Sequence, residues 1–465
     1  MSGLSRTPGK RVWDNIPTGV RIPPSPPFQR PKQRALMRFL YSLFLCLLLP
    51  TIFIRLLWRA RKQPEYLNQI GERFGFYTHR CNKPVIWLHA VSVGETRAAQ
   101  SVISRLQTDY PNHQILLTCT TPTGRATNEQ LYGNSVVRAY LPYDYPFAVT
   151  LFLRHFKPQL GILMETEVWF NLIYTCHQLN TPLLLLNARM SEKSARGYAR
   201  FAQLTSTALT SLTSISAQTS EDVSRLTQLG AKNVSVMGNL KFDIDPPMTM
   251  LNLGKHFREQ FGVTRKIFLA ASTREGEESL LLDSLQILGF INVLLVIVPR
   301  HPQRFADVAQ LLEQRNIPYQ RRSENQPISE ITQVVLGDSM GEMFAYYTAA
   351  DIAFIGGSLL PYGGQNLIEA CAVGTPVIIG SHTYNFAEVT RLAITSGAAI
   401  QVKNADELVA TLQKLFNDPI RLSNMHRQGL GFVQLHRGAT EKTMQLINAS
   451  LTKRLPLTKQ TTPPH

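Results

Sequence analysis

Between residues 351 and 380 the chain reads Asp-Ile-Ala-Phe-Ile-Gly-Gly-Ser-Leu-Leu-Pro-Tyr-Gly-Gly-Gln-Asn-Leu-Ile-Glu-Ala-Cys-Ala-Val-Gly-Thr-Pro-Val-Ile-Ile-Gly. The apolar run Ile352 to Ile355 ends in one glycine pair, a second pair stands at Gly363 and Gly364, a helical pattern starts near Asn366, and a second apolar run closes the unit at Pro376 to Ile379. Strand, loop, helix, strand is the order this predicts. Glycines let a phosphate approach the backbone, and a helix N-terminus offers free N–H groups and a partial positive charge to hold it. One turn into that helix Glu369 points back towards the same end, where a carboxylate can accept hydrogen bonds from both hydroxyls of a ribose. The stretch therefore reads as a nucleotide site, or else as a glycine-rich turn of an ordinary α/β domain with Glu369 solvated.

Other polar sequences stand where apolar runs end. They are His89-Ala90-Val91-Ser92-Val93-Gly94-Glu95, Met164-Glu165-Thr166-Glu167-Val168-Trp169, Asn187-Ala188-Arg189, Gly238-Asn239-Leu240-Lys241-Phe242-Asp243, Ser272-Thr273-Arg274-Glu275-Gly276-Glu277-Glu278, Pro299-Arg300-His301-Pro302 and Gly337-Asp338-Ser339-Met340-Gly341-Glu342. Singly each is weak, because an acid after a strand often serves as a helix cap or first-turn residue, a reading open for Glu95. Lys241 can either hold an anion or pair with Asp243. Together, seven polar strand ends would converge on one cleft. Asp243-Ile244-Asp245 has the form of a metal-holding Asp-X-Asp, but it precedes Pro246-Pro247, away from the glycine loop, and the 11 histidines show no ligand spacing. No metal is assigned.

The elements that must position these residues follow from alternation. Strands are predicted at Val85 to Val91, Ile115 to Cys119, Val136 to Leu141, Leu160 to Met164, Leu183 to Leu186, Ser214 to Ala217 and Val234 to Met237, with helical patterns between them. After an interruption at Asp245-Pro246-Pro247 they resume at Lys266 to Ala271, Val293 to Val298, Val334 to Leu336, Ile352 to Ile355, Val377 to Ile379 and Ala399 to Val402. This is an α/β pattern of mostly parallel sheets. Two Rossmann-like lobes, residues 63–250 and 251–465, are expected around a central cleft at the carboxyl ends of their strands.

At the other end of the chain the composition changes. The net charge is +16, yet residues 1–62 hold 12 Lys or Arg against the single acid Asp14. Charge gathered at one end points to a lipid surface and away from a nucleic-acid groove. Residues 1–35, with seven prolines and no hydrophobic period, are expected to be a disordered basic extension. Residues 36–62 are expected to be a membrane anchor, built on the 16 uncharged residues Phe39 to Ile54 with Arg38 before and Arg55, Arg59, Arg61 and Lys62 after. A span takes about 20 apolar residues, so the run either crosses with its arginines snorkelling or lies in one leaflet. Five dispersed cysteines fit a reducing compartment and neither a disulfide framework nor a zinc site.

In order along the chain, Ser92-Val93-Gly94-Glu95, Met164-Glu165-Thr166-Glu167, Gly238-Asn239-Leu240-Lys241-Phe242-Asp243, Pro299-Arg300-His301-Pro302 and Gly363-Gly364-Gln365-Asn366-Leu367-Ile368-Glu369 resemble the 3-deoxy-D-manno-octulosonic acid (Kdo) transferases of Gram-negative lipopolysaccharide synthesis. The resemblance runs from about Arg55 to residue 450 and implies a GT-B glycosyltransferase at the inner membrane, its lobes facing the cytoplasm. The implied reaction transfers Kdo from CMP-Kdo to the lipid A precursor lipid IVA by an inverting single displacement, without cofactor or metal. The partners it implies are CMP-Kdo, lipid IVA and the inner-membrane lipid surface, with no nucleic acid. The family's general base falls on Glu95 and its transition-state-stabilising positions on Glu165 and Lys241. Its CMP contacts fall on Pro299 and Arg300, on Met340, Gly341 and Glu342, and on Asn366, Leu367, Ile368 and Glu369. Many relatives have Asn-Pro-Leu-Glu where this chain has Asn366-Leu367-Ile368-Glu369; proline suits a first helical turn without being required there. The rival reading is another membrane-associated GT-B transferase with a UDP-sugar donor.

Overall fold

The computed structural model describes residues 31–61, 63–287 and 293–452. Its described strands form two seven-stranded sheets, parallel throughout. The first contains β1 (Val85–His89), β2 (Gln114–Cys119), β3 (Val137–Tyr140), β4 (Leu160–Met164), β5 (Leu183–Ala188), β6 (Ser214–Ala217) and β7 (Val234–Val236) in the order β3-β2-β1-β4-β5-β6-β7. The second contains β8 (Lys266–Thr273), β9 (Val293–Pro299), β10 (Tyr319–Arg321), β11 (Val334–Leu336), β12 (Ile352–Ile355), β13 (Val377–Ile379) and β14 (Ala399–Gln401) in the order β10-β11-β9-β8-β12-β13-β14. β1, β4 and β5 are buried along their whole length. Helices cover both faces of such a sheet, so its central strands are unbroken apolar runs.

In each sheet the direction of winding reverses once, between β1 and β4 and between β8 and β12. The loops after those strands border the crevice where ligands of open α/β sheets bind. The register places Leu88 between Leu117 and Ile162 in the first sheet, and Ala270 between Ile297 and Phe354 in the second. Trp87 anchors the first core, edge-on to Phe152 at 4.9 Å, with its indole N–H donated to Thr118 Oγ1 at 2.8 Å. One face of the second sheet packs Phe257, Tyr346 and Phe432, and the other packs Phe268, Leu281 and Leu312.

The chain divides into two compact units, residues 238–441 and the remainder on either side. The expected boundary at 250/251 differs from this division, because Pro246-Pro247 follows the crossing instead of forming it. The last helix, Ala439–Thr452, joins the first unit from Lys442 onward.

Three local expectations change. Residues 31–35, expected to be disordered, open the helix Pro31–Leu47, while residues 1–30 lie outside the described residues. β10 was not expected: its three residues are half-buried and polar or aromatic, and present no apolar run. The stretch after residue 62, for which no element was expected, carries the short 3-10 helix Ile70–Phe74, in which Glu72 and Arg73 are buried. Glu72 accepts from Arg125 Nη1 at 2.9 Å and from the Tyr140 N–H at 2.7 Å.

The apolar run Phe39 to Ile54 is split between Pro31–Leu47 and Leu49–Ala60, which meet at a 45° bend. Pro50, early in the second helix, has no N–H to give the preceding turn. Among the described residues no single helix is long and apolar enough to cross a membrane, whereas this bent pair passes that test together. Its inner face is docked on the first unit. Tyr41 donates to Asp144 Oδ2 at 3.0 Å, Ser42 to Asn171 Oδ1 at 3.2 Å, and the Tyr145 hydroxyl donates to the Leu45 carbonyl at 2.8 Å. Burial pushes the Asp144 carboxyl up to about 7, although the Asn171 and Leu172 N–H groups favour its charged form. The outer face leaves Leu36, Phe39, Leu40, Leu43, Phe44 and Leu47 exposed, a stripe at helical spacing.

Candidate active site

In the first unit the site grows from the ends of β1 and β4, neighbours at the winding reversal. Ser92 caps the helix Val93–Ala98: its Oγ accepts from the Glu95 N–H at 3.2 Å and donates to Glu95 Oε1 at 3.0 Å, while Glu95 Oε2 accepts from the Val91 N–H at 2.7 Å. The exchange with Ser92 resembles a capping box, except that the carboxylate takes the N–H of Val91, the residue before the cap. The helix-end reading of Glu95 is therefore present in the structure, in a side chain that is only 8% exposed. Burial pushes its carboxyl up to about 7; Glu165 and Glu167 push the same way, against the hydrogen bonds from Val91 and Ser92. A carboxyl tuned to that range suits proton transfer at neutral pH.

Glu165 follows β4 with φ of +57°, a left-handed backbone seldom adopted by residues with a side chain. Its N–H is held by the Leu186 carbonyl of β5 at 2.9 Å, so the sheet itself enforces the turn. Glu167 accepts from the Trp169 indole, and burial raises its carboxyl. His89 is fully buried; its Nδ1 lies 2.9 Å from Thr118 Oγ1, its Nε2 has no partner, and burial pushes it down to about 3. It is neutral at physiological pH.

In the second unit Pro299 ends β9, and the Arg300 N–H is tied to the Thr273 carbonyl at the end of β8 at 3.0 Å. The buried Tyr347 hydroxyl is raised by desolvation and then by Glu369, and lowered by Arg300. Asn366 accepts from the Ile368 N–H at 3.1 Å and donates to Glu369 Oε1 at 3.3 Å.

The helix here, Ile368–Ala372, is shorter and starts later than expected, leaving Glu369 in its first turn. Leu367 and Ile368 are fully buried in the core, so a ligand could meet only their backbone. Met340 is half exposed and Gly341 has φ of +84° with open space around it. The Glu342 carboxylate accepts from Arg322 at 3.2 Å and from Ser339.

The first glycine pair departs from the phosphate-cradle expectation. The Glu277 carboxylate, with no exposed surface, accepts from the N–H groups of Gly357 at 2.6 Å, Ser358 and Leu359 at 3.0 Å, and Arg274 at 2.9 Å. A protein carboxylate fills the nest a phosphate was expected to enter. Gly356 is required for close approach, since a Cβ there would lie 2.4 Å from the Ser272 carbonyl oxygen. Glu277 stands in the polar stretch after β8, but its backbone donors lie 80 residues downstream and leave no local signal.

Lys241 lies in the short turn Leu240–Phe242, where Asn239 Oδ1 accepts its N–H at 3.0 Å, and its Nζ stands 5.6 Å from the Phe386 ring centre. Asp243 accepts from the N–H groups of Gly438, at 2.7 Å, and Thr440, while Asp245 pairs with Arg437. The two acids thus tie together the first and last stretches of the second unit. Among the described residues no group of three His, Cys, Asp or Glu is placed to hold a metal ion.

Two all-parallel Rossmann-like sheets, consecutive in the chain and with polar groups at their winding reversals, have the GT-B fold. Solved structures share the fold: a glycosyltransferase from Rickettsia africae has a TM-score of 0.54 at 14% identity, covering 81% of this chain and 100% of that one. A UDP-GlcNAc 2-epimerase from Neisseria meningitidis has a TM-score of 0.52 at 16% identity, covering 80% and 100%. At such identities the likeness is one of fold alone.

The sequence families are narrower. Residues 68–244 match the family model described as 3-deoxy-D-manno-octulosonic-acid transferase (kdotransferase), and residues 266–430 match glycosyl transferases group 1. The chain is 40% identical to the 3-deoxy-D-manno-octulosonic acid transferase of Bordetella pertussis, over 88% of this chain and 98% of that protein. It is 38% identical to the Haemophilus influenzae enzyme of the same name, over 89% and 99%. The chain belongs to the Kdo transferase family.

Proposed function

We propose that this Kdo transferase takes Kdo from CMP-Kdo and attaches it to lipid IVA by an inverting single displacement. An acceptor hydroxyl attacks the anomeric carbon of Kdo as the bond from that carbon to the phosphate oxygen breaks, Glu95 takes the hydroxyl proton, and CMP leaves with the bonding pair. The observation that carries this reading is the Glu95 carboxyl, buried at the winding reversal of the first sheet and pushed up to about 7. A sugar hydroxyl is a poor nucleophile, and a carboxylate with that affinity for protons assists it near neutral pH. Glu165 and Lys241 are assigned to stabilising the transition state, and Lys241 offers a cation to charge developing there.

In the second unit Arg300, the residue after β9, is assigned to the phosphate and Glu369, in the first turn of its helix, to the ribose. Pro299, Met340, Gly341, Asn366, Leu367 and Ile368 frame the base and sugar, the last two through their backbone, and Glu342 acts with Arg322 beside it. The exposed stripe from Leu36 to Leu47 holds the protein to the cytoplasmic face of the inner membrane, where its lipid acceptor lies. The test is to incubate detergent-solubilised protein with lipid IVA and either CMP-Kdo or a panel of UDP-sugars, reading added mass by mass spectrometry and anomeric configuration by NMR. Kdo addition with inversion is expected. Transfer from a UDP-sugar and none from CMP-Kdo would overturn the donor assignment.

A further inference from the structure

The donor proposed above carries two anions, a phosphodiester and the carboxylate of its sugar, and Arg300 accounts for the first. On that reading of the donor, we infer that Arg274 receives the sugar carboxylate and so selects an acidic sugar. Arg274 is the residue after β8, and Gly356-Gly357 follow β12, so the arginine stands at the winding reversal of the second sheet.

Its guanidinium is held in place before any ligand arrives. It lies over the Tyr362 ring at 4.8 Å, and its Nη1 stands 2.7 Å from His301 Nε2. Tyr362 is fixed in turn by donating its hydroxyl to the Glu275 carbonyl at 3.1 Å, and the Arg274 N–H is held by the buried Glu277. A Cβ at Gly357 would come within 3.3 Å of Arg274 Cγ, so the glycine loop packs directly against the arginine stem.

The charge of Arg274 is available in a way that of its neighbour is not. Arg304 is matched by Glu278 through two bonds of 2.6 and 3.1 Å, whereas among the described residues no carboxylate pairs with Arg274. His301 adds no competing charge: burial, then Arg274, Arg300 and Arg304, lower its affinity for protons, and its neutral Nε2 serves as an acceptor. An arginine stacked on one face and bonded at one nitrogen keeps further N–H groups, which fit the two oxygens of a carboxylate.

The experiment measures CMP affinity by calorimetry and KM for CMP-Kdo in the wild type, Arg274→Gln, Arg274→Lys and Tyr362→Leu, with melting curves as a folding control. In Arg274→Gln, KM for CMP-Kdo should rise about one to two decades, the range for a lost charge-assisted hydrogen bond, while CMP affinity stays within about twofold. Arg274→Lys should recover part of the loss. Tyr362→Leu, which frees the guanidinium without removing it, should raise KM by less and leave CMP binding unchanged. A parallel fall in CMP affinity would move Arg274 to the phosphate, and unchanged KM in Arg274→Gln would remove it from the donor site; either overturns the inference. Wild type that binds neither CMP nor CMP-Kdo would instead overturn the donor assignment itself, and the inference with it.

Discussion

Glu95 closes a helix end and is the proposed base, and the two jobs respond differently to one substitution. Glu95→Gln keeps the size of the side chain and one oxygen for the Val91 N–H but loses the capacity to take a proton, so turnover should fall by about two to four decades with CMP affinity near normal. Turnover of the wild type should rise with pH through about 7 as the carboxyl ionises. Stability should move the other way. The folded carboxyl holds its proton more tightly than the ordinary value of 4.5, so its contribution is complete below about pH 4.5 and is lost as pH rises through about 7. The melting temperature of the wild type relative to Glu95→Gln should therefore drop across that window, and near-normal turnover in the variant would leave Glu95 a cap alone. In the second unit, Arg300→Ala should weaken binding of CMP far more than of cytidine, and Glu369→Ala should weaken both. Each loss should reach roughly 1.5 to 3 kcal/mol, about one to two decades by calorimetry. Glu95 and Arg300 were legible in the sequence because they follow apolar runs, and Glu369 because it follows the second glycine pair. Glu277 was not, since its partners are backbone groups far along the chain.

Among the elements, the central strands were the most legible, because burial on both faces writes them as continuous apolar runs. β10 and the 3-10 helix around Glu72 were illegible for the opposite reason: edge position and ion pairing replace hydrophobic pattern. The N-terminal helix was legible as apolar, yet which face would be covered depends on Asp144 and Asn171, some hundred residues or more away. Its exposed side makes a prediction of its own. Phe44→Asp and Leu47→Asp together should reduce sedimentation with phospholipid vesicles by more than tenfold, since withdrawing each such side chain from an apolar phase costs about 1.5 to 3 kcal/mol. The melting temperature should hardly change, because both side chains already face outward. Undiminished sedimentation would assign membrane binding elsewhere.

For the whole molecule, the charge surplus is concentrated with the apolar stripe, as residues 1–62 carry 12 basic residues and one acid. Removing them should weaken attachment to anionic vesicles, and the salt dependence of attachment should shrink with the charge removed. Both units should remain folded, with a melting temperature lower by several degrees, because Asp144 loses the Tyr41 hydroxyl and the surface under Leu56 and Ala60 is uncovered. Equal sedimentation of intact and shortened protein at moderate salt would count against an anchor at this end.

The last helix belongs to the first unit from Lys442 onward, and the Tyr110 hydroxyl meets Asn448 on it at 2.5 Å. In the order of synthesis, the segment that completes the first unit is made only after the whole of the second. At about 5 to 20 residues per second, the 204 residues from Gly238 to Glu441 occupy roughly 10 to 40 seconds on the ribosome, during which the first unit waits without its final helix. The second unit is one continuous stretch of chain, so it can close as soon as it emerges. A released chain ending at Glu441 should therefore present a protease-resistant second unit beside a first unit still open to cleavage near Tyr110.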